Sequence, residues 1–170
     1  MAQTHEEVRK IYGDQIEAVA RTAEAQAVGA TYVVYLILDR TRPDPHVRFT
    51  GTPLYVGQTG RIYGRTKDHL IDALVYRGGQ GSLKEALASL IEAGNPPFVQ
   101  VVQFCDSRIS SCFAETRWAQ KLLAMGYDLK NRAPLQANIM TSKQRINFER
   151  RALMAGDLQG IAWPPVAIGG

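Results

Sequence analysis

The sequence predicts an α/β domain of the α+β kind: a small three-stranded antiparallel sheet flanked by helices, with extra helices at both ends. Three observations carry this. Three short runs, TYVVYLILD, PLYVGQ and FVQVVQFC, have strand length and are rich in β-branched and aromatic residues. The segments between and around them place apolar residues three and four apart, the period of a helix. A proline-containing polar insert joins the first two runs, as a long hairpin joins antiparallel strands. A chain of 170 residues suits one domain with one core. It shows no internal repeat, low-complexity tract or interdomain linker.

Taken in order, Thr4 to about Ala27 reads as a helix with Val8, Ile11, Tyr12, Ile16, Val19, Ala20 and Ala23 on its apolar face. Thr4 and Glu7 stand in capping-box positions, and Gly29 ends the helix. This helix is expected to pack on the core or on a second subunit. Tyr32–Asp39 is a strand, continuously apolar and so buried on both faces. Pro43 and Pro45 exclude a central strand in the insert that follows. Pro53–Gln58 is the second strand, and Gly57 and Gly60 at its exit allow a sharp turn or a close approach to the backbone. Tyr63 to about Tyr76 is a helix stopped by Gly78-Gly79. Ser82 and Glu85 open another through a capping box, and Gly94-Asn95-Pro96-Pro97 ends it. Phe98–Cys105 is the third strand, with Val99, Val101 and Gln103 expected on one face and Phe98, Gln100, Val102 and Phe104 on the other. A helix from about Ser111 to Met125 closes at Gly126, and Tyr127–Pro134 is a loop. Thr141 and Gln144 cap a last helix running to about Ala155, and a Gly/Pro-rich tail follows.

Lys and Arg total 20 against 16 Asp and Glu, a formal charge of +4 that permits a polyanionic partner without requiring one. Cys105 and Cys112 lack the spacing of a zinc site or a disulfide framework, so reduced thiols and a cytoplasmic location are expected. No apolar run nears the roughly 20 residues that span a bilayer, so no membrane role is expected. The charged start, MAQTHEEVRK, has no hydrophobic region after it and does not read as a signal peptide.

The first two strands carry the words Val33-Val34-Tyr35 and Tyr55-Val56-Gly57. Arg65 and His69 follow on one helix face, one turn apart. Glu115 sits on the apolar face of the helix after the third strand, where an unpaired carboxylate costs several kcal/mol to bury. It is therefore paired, with Arg65 as one partner to consider, or it binds a cation. Asn131 lies in the next loop. In order, element type and spacing this set resembles the GIY-YIG nuclease superfamily. The resemblance covers about residues 31–133 as the catalytic core, leaving the N-terminal helix (1–30) and a C-terminal extension (134–170) outside it. The chain departs from the pattern at Val33, which replaces the glycine of the first word, in its longer insert, and at Gln58, where some members carry lysine.

The resemblance implies a Mg²⁺-dependent (or Mn²⁺-dependent) endonuclease that hydrolyses DNA, with RNA as an alternative substrate. It implies Tyr35, Tyr55, Arg65, His69, Glu115 and Asn131 as catalytic residues, and Glu115 as ligand to one divalent ion per site. Tyr35 would activate water, Tyr55 and His69 would position water or phosphate or move a proton, and Asn131 would orient Glu115 or the backbone around it. The residue types suit that chemistry independently. A carboxylate is a hard ligand for an ion that keeps most of its waters, and a guanidinium makes charge-assisted bonds to phosphate oxygens. Two basic segments offer DNA contacts beyond the core: the insert, with Arg40, Arg42, His46 and Arg48, and the last helix, with Lys143, Arg145, Arg150 and Arg151. Each can equally be a solvated surface. The alternative function is a non-catalytic nucleic-acid-binding or oligomerising module that keeps the fold, and a homodimer is compatible with either reading.

Overall fold

The computed structural model describes residues 3–131. Seven elements follow in the order α1 (His5–Gln26), β1 (Tyr32–Asp39), β2 (Thr52–Thr59), α2 (Ile62–Tyr76), α3 (Leu83–Glu92), β3 (Phe98–Cys105) and α4 (Arg108–Ala124). The strands form one antiparallel sheet with β1 central, in the order β2-β1-β3. The protein is thus the α+β domain that its sequence predicts. The expected Thr141–Ala155 helix, with Lys143, Arg145, Arg150 and Arg151, lies outside the described residues. Among the described residues no helix is long and apolar enough to cross a membrane.

Alternation along the buried central strand divides the core in two. Val33, Tyr35 and Ile37 face α1, α2 and α3, packing with Val8, Ile16, Leu70, Leu74, Leu87 and Ile91. Val34, Leu36 and Leu38 face α4, packing with Trp118, Ala119 and Leu122. The edge strands each break this alternation once. The register of β2 shifts between Ile37 and Leu38, so that Leu54 and Tyr55 both join the α1–α3 side. The shift falls beside Pro53, which cannot donate to a ladder and sits on an edge strand as proline requires. In β3 the register shifts between Val34 and Tyr35, leaving Val102 as the extra residue. This corrects the expected faces. Val99 and Val101 share one side, but Gln103 turns to the other, where its Oε1 accepts the Trp118 indole N–H at 2.9 Å.

The helix ends follow their capping chemistry. Thr4 Oγ1 accepts from the Glu7 N–H, and the Glu7 carboxylate accepts from the Thr4 N–H, completing the box. At α3 only half of the expected box forms: Ser82 Oγ accepts from the Glu85 N–H, while the Glu85 carboxylate turns to the Gly81 N–H. The last helix of the core starts three residues earlier than expected, because Ser107 and Ser110 make the reciprocal pair at its N-terminus.

Both free edges of the sheet carry a side-chain carboxamide. On β3, Gln26 Nε2 donates to Val99 O at 2.8 Å and Gln26 Oε1 accepts from Val101 N at 3.0 Å. On β2, Asn131 Nδ2 donates to Val56 O at 2.8 Å and its Oδ1 accepts from Val56 N at 3.2 Å, while Lys130 N donates to Leu54 O at 2.7 Å.

Candidate active site

The site begins with one missing side chain. Gly57 lies directly opposite Tyr35 across the β1–β2 ladder. A Cβ there would stand 2.5 Å from the Tyr35 phenol and 2.7 Å from the Tyr55 ring. Gly57 is therefore inside β2, and its purpose is close approach rather than the turn that its sequence position suggests. The bare backbone lets the Tyr35 ring reach across to Tyr55, whose ring centroid lies 6.3 Å away. Tyr35 is 1 % exposed.

α2 supplies the next two groups from one face, as their spacing of four predicts. His69 Nε2 and the Tyr35 hydroxyl are hydrogen-bonded at 2.9 Å, and the imidazole also packs edge-on to Tyr55 at 5.2 Å. The Arg65 guanidinium lies against both phenols and interacts with each electrostatically. The seam between α1 and α2 holds this face in place. Glu17 accepts from Tyr63 Oη at 2.8 and 2.9 Å and from Lys67 Nζ at 3.0 Å.

Glu115 arrives from the opposite layer. Ser111 Oγ donates to Gln58 Oε1 at 2.9 Å, tying α4 to β2, and Glu115 follows one turn later on the same helix. That bond also accounts for Gln58, which is held by α4. Glu115 is 8 % exposed, and its charge acts on Tyr35, Tyr55 and Arg65. Its carboxylate makes no ion pair with Arg65 within salt-bridge distance, nor a hydrogen bond to any other described residue.

The electrostatics follow from burial first. Loss of solvent pushes the Glu115 carboxyl up to about 7, against the opposing pull of Arg65. Burial also lowers His69, aided by the positive charges of Arg65 and Lys84, to about 4, so the imidazole is neutral at pH 7. Both phenols are raised by burial, and Glu115 adds to each, so they stay protonated. Burial works against the charge of Arg65, but the two phenolic oxygens outweigh it and its pKa is raised.

Tyr35, Tyr55, Arg65, His69 and Glu115 thus come together from both sides of the sheet. Asn131 stands apart from Glu115: its carboxamide is spent on the Val56 backbone, between Tyr55 and Gly57, so it positions the strand that carries them. The insert is anchored at the buried Asp44 and Phe49, while Arg40 and His46 are exposed and Arg48 is half-buried. Asp44 accepts from the backbone N–H groups of His46, Arg48 and Phe49 and from the Tyr127 hydroxyl at 2.6 Å. His46 Nε2 donates to Met125 O, and the Arg40 guanidinium covers the Phe98 ring at 3.7 Å. Arg42 is exposed. Sequence reasoning missed Asp72, Ser82, Lys84 and Lys130, which line one cleft together with Tyr55, Arg65 and His69. The spacing of Asp72, three residues after His69 on the same helix, was the one signal available.

Among the described residues no three His, Cys, Asp or Glu side chains gather in a metal-binding group. The donor set at Glu115 is a single hard carboxylate without a hydrogen-bond or ion-pair partner among the described residues. It fits Mg²⁺ or Mn²⁺, ions content with one protein ligand and several waters, better than zinc. No family model, curated protein or solved structure matches the chain.

Proposed function

We propose that the protein is a Mg²⁺-dependent (or Mn²⁺-dependent) endonuclease that hydrolyses DNA phosphodiester bonds at this cluster. One observation carries the reading. A guanidinium, a neutral imidazole bonded to a phenol, and a buried carboxylate without a partner among the described residues meet at one place. Phosphodiester hydrolysis needs such a set: charge for the transferring phosphoryl group, a proton acceptor for water, and a hard ligand.

Glu115 would hold the divalent ion, which when bound supplies positive charge to the phosphate and its leaving oxygen. Arg65 binds the non-bridging oxygens and gains strength as charge accumulates on them. Its contacts to both phenols aim the guanidinium before substrate arrives. Tyr35 does not act as a free phenolate, since its pKa is raised rather than lowered. Its hydroxyl hands its proton to His69 Nε2 as the phenol oxygen takes a proton from the attacking water. The water oxygen then bonds to phosphorus, the bond to the leaving oxygen breaks, and that oxygen takes a proton from solvent. The imidazolium so formed lies close to Arg65 and Lys84, which favours rapid loss of its proton to solvent. Tyr55 limits the position of the water and the phosphate from the other side of Gly57. Asn131 acts through the backbone of β2.

The test is incubation with circular, linear and branched DNA, with Mg²⁺ and with chelator. Strand cleavage in Mg²⁺ that chelator stops, and that Glu115→Gln abolishes without loss of binding, is the expected result. Binding without cleavage of any of these DNAs would leave the non-catalytic alternative in its place.

A further inference from the structure

Next to the Tyr35–His69 pair, α2 and the start of α3 border a cleft of about 310 Å³. Tyr55, Arg65 and His69 line it together with Lys84, Lys130, Leu83 and Leu87. Its charged side chains are three cations, Arg65, Lys84 and Lys130, against one acid, Asp72, with His69 neutral. The two lysines come from different segments and are each held in place. Lys130 Nζ donates to Gly81 O at 3.0 Å, and the Lys84 ammonium lies 4.8 Å from the Tyr76 ring centroid. An ammonium has three donors, so both keep capacity for an anion. The Lys84 charge also reaches His69. Lys130 precedes Asn131, whose carboxamide grips β2 between Tyr55 and Gly57, so this part of the lining is tied to the strand that carries the site.

We propose that this cleft is the subsite for the nucleotide adjoining the scissile phosphate, with Lys84 and Lys130 taking the next phosphate and Leu83 and Leu87 supporting the sugar. The inference rests on the nuclease reading above. The volume lies at the small end of ligand pockets, enough for one nucleotide unit. Arg65 is shared between site and cleft, so a strand bound at Arg65 leads directly into it. The remaining lining includes one aromatic ring, Tyr55, and the apolar Leu83 and Leu87, which suits a sugar or base face more than a free inorganic anion.

The test uses the full chain carrying Glu115→Gln, so that binding is measured without cleavage. Its affinity for a labelled synthetic DNA duplex is followed across a NaCl series, with and without Lys84→Ala and Lys130→Ala together. Losing the one phosphate that the two lysines share should flatten the log–log salt slope by about 0.9. Cleavage by the double variant with Glu115 intact should show KM raised about tenfold and kcat changed no more than about threefold, the pattern of lost ground-state binding. A neutral methylphosphonate, scanned linkage by linkage from the cut, should weaken the parent at the adjacent linkage and leave the double variant indifferent there. Superimposed salt lines, with no linkage that separates parent from variant, would overturn the subsite, and cleavage by the parent would leave the nuclease reading standing. A parent that neither binds nor cleaves DNA would overturn both. Melting curves of the double variant check that these substitutions at half-buried lysines leave the fold intact.

Discussion

Replacing Gly57 with alanine adds one methyl group at the most crowded point of the site. The new Cβ would lie 2.5 Å from both the Tyr35 ζ-carbon and hydroxyl and 2.7 Å from the Tyr55 ring. Neither ring can yield freely. Tyr35 is buried on the central strand and bonded to His69, and Tyr55 is packed against the same imidazole. Overpacking of this kind costs about 1–3 kcal/mol. A displaced Tyr35 also weakens its bond to His69, worth about 0.5–1.5 kcal/mol. The expected loss is therefore about 2–4 kcal/mol, or a melting temperature lower by about 5–15 °C for a chain of this size. A shift of about 1 Å in the Tyr35 oxygen should further reduce turnover about a hundredfold at temperatures where the variant is folded. Gly64→Ala is the control. It lies in α2 with nothing near its Cβ position and should gain about 0.5–1 kcal/mol. Thermal melts and DNA cleavage on the pair decide the matter. A Gly57→Ala protein with parental melting temperature and turnover would show that the close approach of Tyr35 to β2 is not what the glycine provides.

Further outcomes follow from the same geometry. Arg65→Lys keeps the charge but loses the planar fork, and turnover should fall at least about a hundredfold, whereas a change of only a few-fold would remove Arg65 from the reaction. Because Glu115 is raised in the folded state, its destabilising effect should develop from about pH 4.5 to about pH 7 and remain above it. Glu115→Gln should accordingly be more stable than the parent at pH 8, by up to about 3 kcal/mol, with the gap closing near pH 4. His69 has the opposite sign, its lowered pKa favouring the fold above about pH 6.5 and ceasing to do so as pH falls through about 4. A flat difference between parent and Glu115→Gln melting profiles across that range would refute the burial argument. Asn131→Ala should cost about 1–2 kcal/mol by leaving the Val56 N–H and C=O without their partner, and it should lower turnover through β2. Unchanged stability would show that water replaces the amide without loss.

The strands were legible because β1 is buried on both faces and the other two lie between strong turn signals. Spacing alone put Arg65 and His69 on one helix face, whereas joining them to Tyr35 and Tyr55 was what the family resemblance implied. What could not be read depended on partners far along the chain. The bulge at Val102 reverses Gln103, and nothing local to FVQVVQFC marks it, because the ladder with β1 and the Trp118 indole set it. The start of α4 was hidden because serine replaces the usual Glu or Gln in its capping pair. The insert reads as a basic loop from its composition, yet Asp44, ordinary in sequence, gathers four hydrogen bonds and turns the segment toward Tyr127. Lys84 and Lys130 lie 46 positions apart and meet only through the fold.

The carboxamides of Gln26 and Asn131 bear on how copies of this domain can meet. A three-stranded sheet has two open edges, and an open edge recruits strands from other chains. Gln26 bonds the O and N of residues two apart on β3, the pattern a parallel neighbour would use. Asn131 bonds both groups of one residue on β2, as an antiparallel neighbour would. Each edge thus already holds a one-residue imitation of the strand it lacks, supplied by this chain. An incoming strand would have to displace an amide that makes two bonds at once. Association through a continuous sheet is therefore disfavoured at the middle of both edges.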